Sequence, residues 1–240
     1  MAQKTIEHPV FGTVHLYKRR GARHIRLSLT HDGAVRVSLP VWLPYESGLQ
    51  FLASQRDWVL KNKQKTVVKV FGDGDRVGKR HVVRIFHDQT DTVKTRLSDY
   101  ELRVTLPATM PSEAEAAQAA IQKIAQKALR QQAEDLLPAR LANLASQCGL
   151  RYTQLTIRSL RTRWGSCNQR GEITLNFYLM QLPWQLIDYV ILHELTHLEH
   201  LDHSPAFWHA LLNKLPEAKQ LKKAMRLYQP NFIQPSLNES

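Results

Sequence analysis

His193-Glu194-Leu195-Thr196-His197 is the feature that most limits what this chain can become. It follows the apolar run Val190-Ile191-Leu192, and from Pro183 onward Leu186, Val190 and Leu198 recur with helical spacing. Residues four apart on a helix lie about 40° apart around the axis and one turn apart along it. The imidazoles of His193 and His197 can therefore reach one Zn²⁺ at about 2.0–2.1 Å, with Glu194 beside it as general base on an activated water. Pro183 suits the first turn of this helix, where its missing N–H costs nothing. Five of the eleven histidines lie between His193 and His209, a concentration that a core has little use for and a metal does.

The third ligand is less constrained. His200 shares the helical face but follows two rings already there. His203 lies six residues past His197, which on a continuous helix turns it about 240° away. Ser204-Pro205 breaks the helix: Ser204 can cap a new one, with Pro205 at its first position. His203 then sits in the turn, free to swing back. Glu217 is a rival from a later helix, and His200 and His209 are others. The H-E-x-x-H-x₅-H spacing also fits the metzincin pattern, but that pattern wants glycine where this chain has His200.

Composition narrows the setting. A hydrophobic fraction of 43% and a charged fraction of 22% suit a globular chain. No apolar run approaches the roughly 18 residues that span a bilayer. The start, MAQKTIEHPVFG, lacks a secretory apolar region, and Cys148 and Cys167 are too few for a disulfide framework. A cytoplasmic protein with two thiols is expected. A net charge of +12 favours anionic partners: nucleic acid, nucleotides, phosphorylated substrates or an acidic protein face.

Alternation places Ile25, Leu27 and Leu29 on one strand face and Val35, Val37 and Leu39 on the next, joined by a hairpin turn at Asp32-Gly33. Residues 46–63 are spaced as one amphipathic helix, and HVVRIFH and YELRVTL alternate as strands. Pro107–Pro111 reads as a joint. Ser112 and Glu115 form a capping-box pattern opening an alanine-rich helix that Pro138 kinks or splits and Gly149 ends. QLTIRSL and EITLN follow as strands around the loop RTRWGSCNQRG, and no internal repeat is evident. The predicted class is α+β. A β-rich N-terminal domain with one helix (1–110) precedes a zincin-like catalytic domain (111–240), in which the H-E-x-x-H helix lies over a short mixed sheet.

Arg163–Cys167, Gly171–Asn176, Ile187–His197 and His203–Trp208 together resemble the YgjP-like metallohydrolases, a bacterial group related to SprT- and WLM-type zinc peptidases. The family pattern runs R-W-G-S-C, G-x-I-x-L-N, I-D-Y-V-I-x-H-E-L-x-H and N-H-S-x-x-F-W, and here Asp202 stands where asparagine is usual. The N-terminal segments YKRRGARHIRLSL, DGAVRVSLP and FLASQRDWVLKNK share the likeness. The resemblance implies His193, His197 and His203 as zinc ligands and Glu194 as catalytic.

It implies a metallopeptidase acting on peptide or protein, and it also carries an association with nucleotide pyrophosphatase activity on uridine triphosphate. For the nucleotide alternative, Arg158, Arg161 and Arg163 offer planar forks for phosphate beside the loop that the resemblance places near the metal. Asn176 can donate to substrate or cap its strand end. A peptidase would need an edge strand, such as EITLN, for an extended substrate. A nucleic-acid-associated binding module is the third expectation, drawn from charge alone.

Overall fold

The computed structural model describes residues 3–29, 34–64 and 69–231. The chain divides into two compact units, Met1–Lys69 and Val70–Phe232. The expected turn at Asp32-Gly33 lies outside the described residues.

In the first unit β1 (Gln3–His8), β2 (Gly12–Arg19), β3 (Arg26–Leu29) and β4 (Val35–Pro40) form a sheet ordered β1-β2-β4-β3. The central pair β2/β4 is parallel and the outer pairs are antiparallel. Val14, Leu16, Val35, Val37 and Leu39 turn inward onto α1 (Tyr45–Ser54) and α2 (Arg56–Gln64), where Leu52 and Val59 complete the core. The single helix expected over 46–63 is thus two, parted at Gln55, whose ψ of 21° departs from the helical range.

The second unit opens with β5 (Arg76–Val77), β6 (His81–Asp88), β7 (Lys94–Leu97) and β8 (Glu101–Pro107), ordered β5-β6-β8-β7 with β6/β8 parallel. The long helix α3 (Glu115–Gln147) covers one face of this sheet. Val83, Leu102, Val104 and Leu106 share one core with Ile121, Ala125, Ala128 and Leu129. The division therefore falls at 69/70 and not at the expected 110. Pro107–Pro111 is a corner within a unit, because the alanine-rich helix it introduces packs back on the apolar face of this sheet.

Gln118 of α3 acts as a strand would. Its Oε1 accepts from Phe71 N–H and its Nε2 donates to Phe71 O, both at 2.8 Å. Four turns on, Gln132 bonds Lys79 N–H and Val77 O around Gly78. With φ +66° and no room for a Cβ beside Gln132 Oε1, only glycine suits that turn.

Two expectations about α3 change. Ala114, not Ser112, stands at its start, and the Ser112 hydroxyl donates to Glu113. The helix also runs unbroken through Pro138, which lies on the exposed side, so the carbonyl of Glu134 that loses its bond faces water. Its end is as expected: Gly149, at φ +65°, donates to Ser146 O while Leu150 N–H reaches Ala145 O.

β9 (Gln154–Arg158), β10 (Gly165–Cys167) and β11 (Glu172–Asn176) form a third sheet ordered β10-β11-β9. EITLN is the central strand, so it offers no free edge. The edges belong to β9 and to β10, the latter inside the segment expected to be loop. Then come α4 (Trp184–Thr196), α5 (Pro205–Lys214) and α6 (Ala218–Ala224). Arg140 of α3 clamps Asp188 of α4 through two hydrogen bonds, its Nε at 2.7 Å from Oδ1, tying the site-bearing helix to the longest element. Among the described residues no helix is long and apolar enough to cross a membrane.

The two four-stranded sheets are copies of one module. Each is ordered first-second-fourth-third with a parallel centre. The last strand of each runs into a matching P-x₃-P corner: residues 35–46 (VRVSLPVWLPYE) and 102–113 (LRVTLPATMPSE) are identical at six of twelve positions. The expectation of no repeat fails because the likeness is confined to this short segment, and the helices after the two corners differ in length.

Candidate metal centre

α4 begins after Pro183, which caps the helix from outside with ψ 148° and does not occupy its first turn as expected. The helix ends at Thr196, and His197 follows in a turn tightened by bonds from Leu198 N–H to Leu195 O and from Glu199 N–H to Thr196 O. The chain reverses through 198–203 before α5. Ser204 caps α5 by accepting from Phe207 N–H at 3.4 Å, with Pro205 in the first turn. Asp202 accepts from Ser204 N–H at 3.1 Å through Oδ1. That bond asks only for an acceptor, so aspartate serves where the family pattern has asparagine.

This reversal brings His203 back to His193 and His197. Their ligand atoms all lie within 4.8 Å of one another. The Nε2 atoms of His193 and His203 are 3.0 Å apart, a separation at which two imidazole nitrogens must share a proton or a cation. Tetrahedral ligands about 2.0–2.1 Å from one zinc ion stand about 3.3 Å apart, so the trio fits a metal. His197 donates its Nδ1–H to His200 O at 2.9 Å, which leaves its Nε2 lone pair for the cluster. Burial, then the neighbouring His197 and His203, push His193 down to about 3, so its ring is neutral at ordinary pH. Phe207 floors all three imidazoles, with centroid distances of 4.9, 4.6 and 4.8 Å to His193, His197 and His203.

Glu194 is buried beside them. Burial raises its carboxyl to about 8, opposed by the Arg163 charge and a hydrogen bond from the Cys167 backbone. The edge strand explains its placement. Asn176 N–H bonds Trp164 O and Asn168 N–H bonds Glu172 O, so the even residues of this strand pair with β11. Gly165 and Cys167 turn their backbone groups outward, and Cys167 N–H meets the carboxyl. A Cβ on Gly165 would lie 2.7 Å from Glu194 Oε1 and 2.8 Å from its Cγ, so the carboxyl occupies the room that glycine leaves.

The site opens into a cleft of about 460 Å³. Tyr189, not singled out from the sequence, and Met225 also line it. Tyr189 stands one turn before His193, a spacing that could have flagged it, and burial and Glu194 hold its phenol up at about 12. The Cys167 thiol, raised to about 11 by burial and then by Glu194, stays protonated as expected of a structural cysteine.

Of the four substrate-binding expectations, Arg163 alone reaches the cleft. Arg158 and Arg161 are exposed and are not part of its wall. Asn176 is fully buried: its Nδ2 donates to Leu160 O and Arg163 O and its Oδ1 accepts from Tyr178 N–H, so it fixes the strand end and has nothing left for substrate. Of the rival ligands, His200 contributes its carbonyl to His197, His209 lies within 3.3 Å of Asn213 Nδ2, and Glu217 is exposed at the start of α6.

Metal-free protein should show the cost of burying Glu194. A carboxyl whose folded pKa exceeds its unfolded value adds stability below the unfolded value and loses it as pH rises through the folded one. In chelator, wild type and Glu194→Gln should melt together below about pH 4.5. The glutamine variant should then gain increasingly up to about pH 8, where the difference levels off. Paired thermal melts across this range measure it, and parallel curves would contradict the burial cost.

Three imidazoles converging beside a buried carboxyl in an open cleft are the elements of a metallohydrolase. The chain belongs to the YgjP-like family, whose metallopeptidase-domain model matches residues 23–228. Among solved structures it is similar to the metallopeptidase zymogen of Pyrococcus abyssi abylysin, at 24% identity and a TM-score of 0.34, over 38% of this chain and 93% of that one. It is also similar to the zymogen of Methanocaldococcus jannaschii jannalysin, at 19% identity and 0.32, over 36% and 89%. No curated protein matches the chain.

Proposed function

We propose that this chain is a zinc-dependent peptidase in which His193, His197 and His203 hold the ion and Glu194 is the general base. The observation that carries the reading is the edge strand β10 in the cleft wall, beside the carboxyl and the three rings. An extended peptide can add to such an edge, which positions its carbonyl without a dedicated side-chain pocket. Zinc, when bound, supplies Lewis acidity and brings the pKa of water toward about 7. Glu194, held against Gly165, takes the water's proton and delivers it to the leaving amine. Tyr189, a neutral phenol on the same wall, is placed to donate a hydrogen bond to the substrate.

The nucleotide reading has less support, since one arginine of three, Arg163, borders the cleft. A parallel assay of zinc-loaded protein on unfolded polypeptide and on nucleoside triphosphates separates the two. Peptide cleavage that vanishes in chelator and returns with zinc is expected. Release of pyrophosphate with no peptide cleavage would overturn the peptidase assignment.

A further inference from the structure

The first unit carries most of the protein's charge. Residues 1–69 hold twelve lysines and arginines against four acidic residues, giving about two-thirds of the net +12 in under a third of the chain. Three of these cations are gathered on one surface. β2, β4 and β3 bury alternate residues, which turns His15, Tyr17, Arg19, Arg26 and Arg36 to the other face of the sheet. The three arginines are exposed and the two rings half-buried. Register sets them side by side: His15 opposite Arg36, and Tyr17 opposite Ser38, which in turn faces Arg26. The Arg36 guanidinium lies over the Tyr17 ring, 4.7 Å from its centroid. Among the described residues of these strands, the one acidic side chain on this face, Glu7, sits in its corner and accepts from Thr13 Oγ1 at 2.7 Å.

The repeated sheet gives an internal comparison. Phe86 occupies the place of Tyr17, opposite Thr105 as Tyr17 is opposite Ser38, and Arg103 the place of Arg36. There too the guanidinium lies over the ring, at 4.2 Å. Arg84, Arg103 and Arg96 stand in a row across that sheet, with Asp73 answering Arg84 at 3.6 Å. Folding does not ask for arginine at exposed strand positions, and like charges directly opposite are unfavourable. Both copies nonetheless keep the arginine and brace it on an aromatic ring.

We propose that the open face of the β1–β4 sheet binds single-stranded nucleic acid. The arginines answer the phosphates, and Tyr17 and His15 offer ring surfaces to unpaired bases. An acidic peptide has charge but no bases to use the rings, and a duplex hides its bases in the stack. This inference is independent of the hydrolase reading, because it uses no residue of the metal centre.

Fluorescence anisotropy of the full-length protein with short labelled oligothymidylate and oligouridylate tests it. Binding should weaken with salt, with a log–log slope of about −0.7 for each phosphate contacted. The triple variant Arg19→Gln/Arg26→Gln/Arg36→Gln should lose at least about tenfold in affinity and about two from the magnitude of that slope, with an unchanged unfolding midpoint. Tyr17→Ala should lose about tenfold with a nearly unchanged slope. Absence of binding at about 50 mM salt, equal binding of polyglutamate of the same length, tighter binding of a duplex, or an unaltered triple variant would each overturn the proposal.

Discussion

Glu194→Gln is expected to lower peptide turnover by about 10²–10⁴-fold while metal content stays that of the wild type. Glutamine has nearly the shape of glutamate, so it fits the room that Gly165 leaves and can still accept from Cys167 N–H through its amide oxygen. The imidazole trio does not depend on the carboxyl: His197 is fixed by the His200 carbonyl and all three rings rest on Phe207. What glutamine cannot do is take a proton. Turnover and metal content therefore separate in this variant. Loss of both together would mean that Glu194 organises the centre instead of serving it, and unimpaired turnover would remove it from the chemistry.

How far the site could be read from sequence follows from how local each part is. His193, Glu194 and His197 lie within about one helical turn, and backbone geometry alone pairs the two rings. His203 became legible through Ser204-Pro205, because a cap and a proline declare a helix start whatever packs around them. The companions of these residues were not legible in the same way. Gly165 faces Glu194 across 29 positions of sequence, and nothing near it says which side chain will fill its missing Cβ. Asn176 looked equally suited to substrate or to capping until the chain closed around its amide. Arg158 and Arg161 were grouped with Arg163 by nearness along the chain, yet the end of β9 sends them elsewhere.

Larger organisation was lost for a related reason. Alternation over 81–107 announces that one face of a sheet is buried, but not what buries it. The answer, the alanine-rich face of α3, comes from the other side of a proline-bearing corner that resembles a linker. The same corner recurs at Pro40 and Pro44, where the two modules match at six of twelve positions. Helices of different length follow the two corners, so composition gives no hint of the repetition.

Gly165→Ala should damage turnover almost as severely, by a route that leaves every chemical group in place. The added methyl would lie 2.7 Å from Oε1, 2.8 Å from Cγ and 3.0 Å from Cδ of Glu194, closer than real contacts allow. Glu194 is buried between α4 and β10, so the carboxyl has to move as a whole, and a misplacement of about 1 Å at a reacting group costs about 10²-fold. Crowding of this kind also lowers stability by about 1–3 kcal/mol, so kcat is to be measured well below the melting transition and metal content checked beside it. Truncating the partner isolates the cause. Glu194→Ala removes all three of these atoms and should itself be slow. In that background Gly165→Ala should cost little more, and the two changes should be markedly less than additive. Full additivity would mean that alanine acts through the strand and not through the carboxyl, and an unimpaired single alanine variant would show that Glu194 does not need the room this glycine leaves.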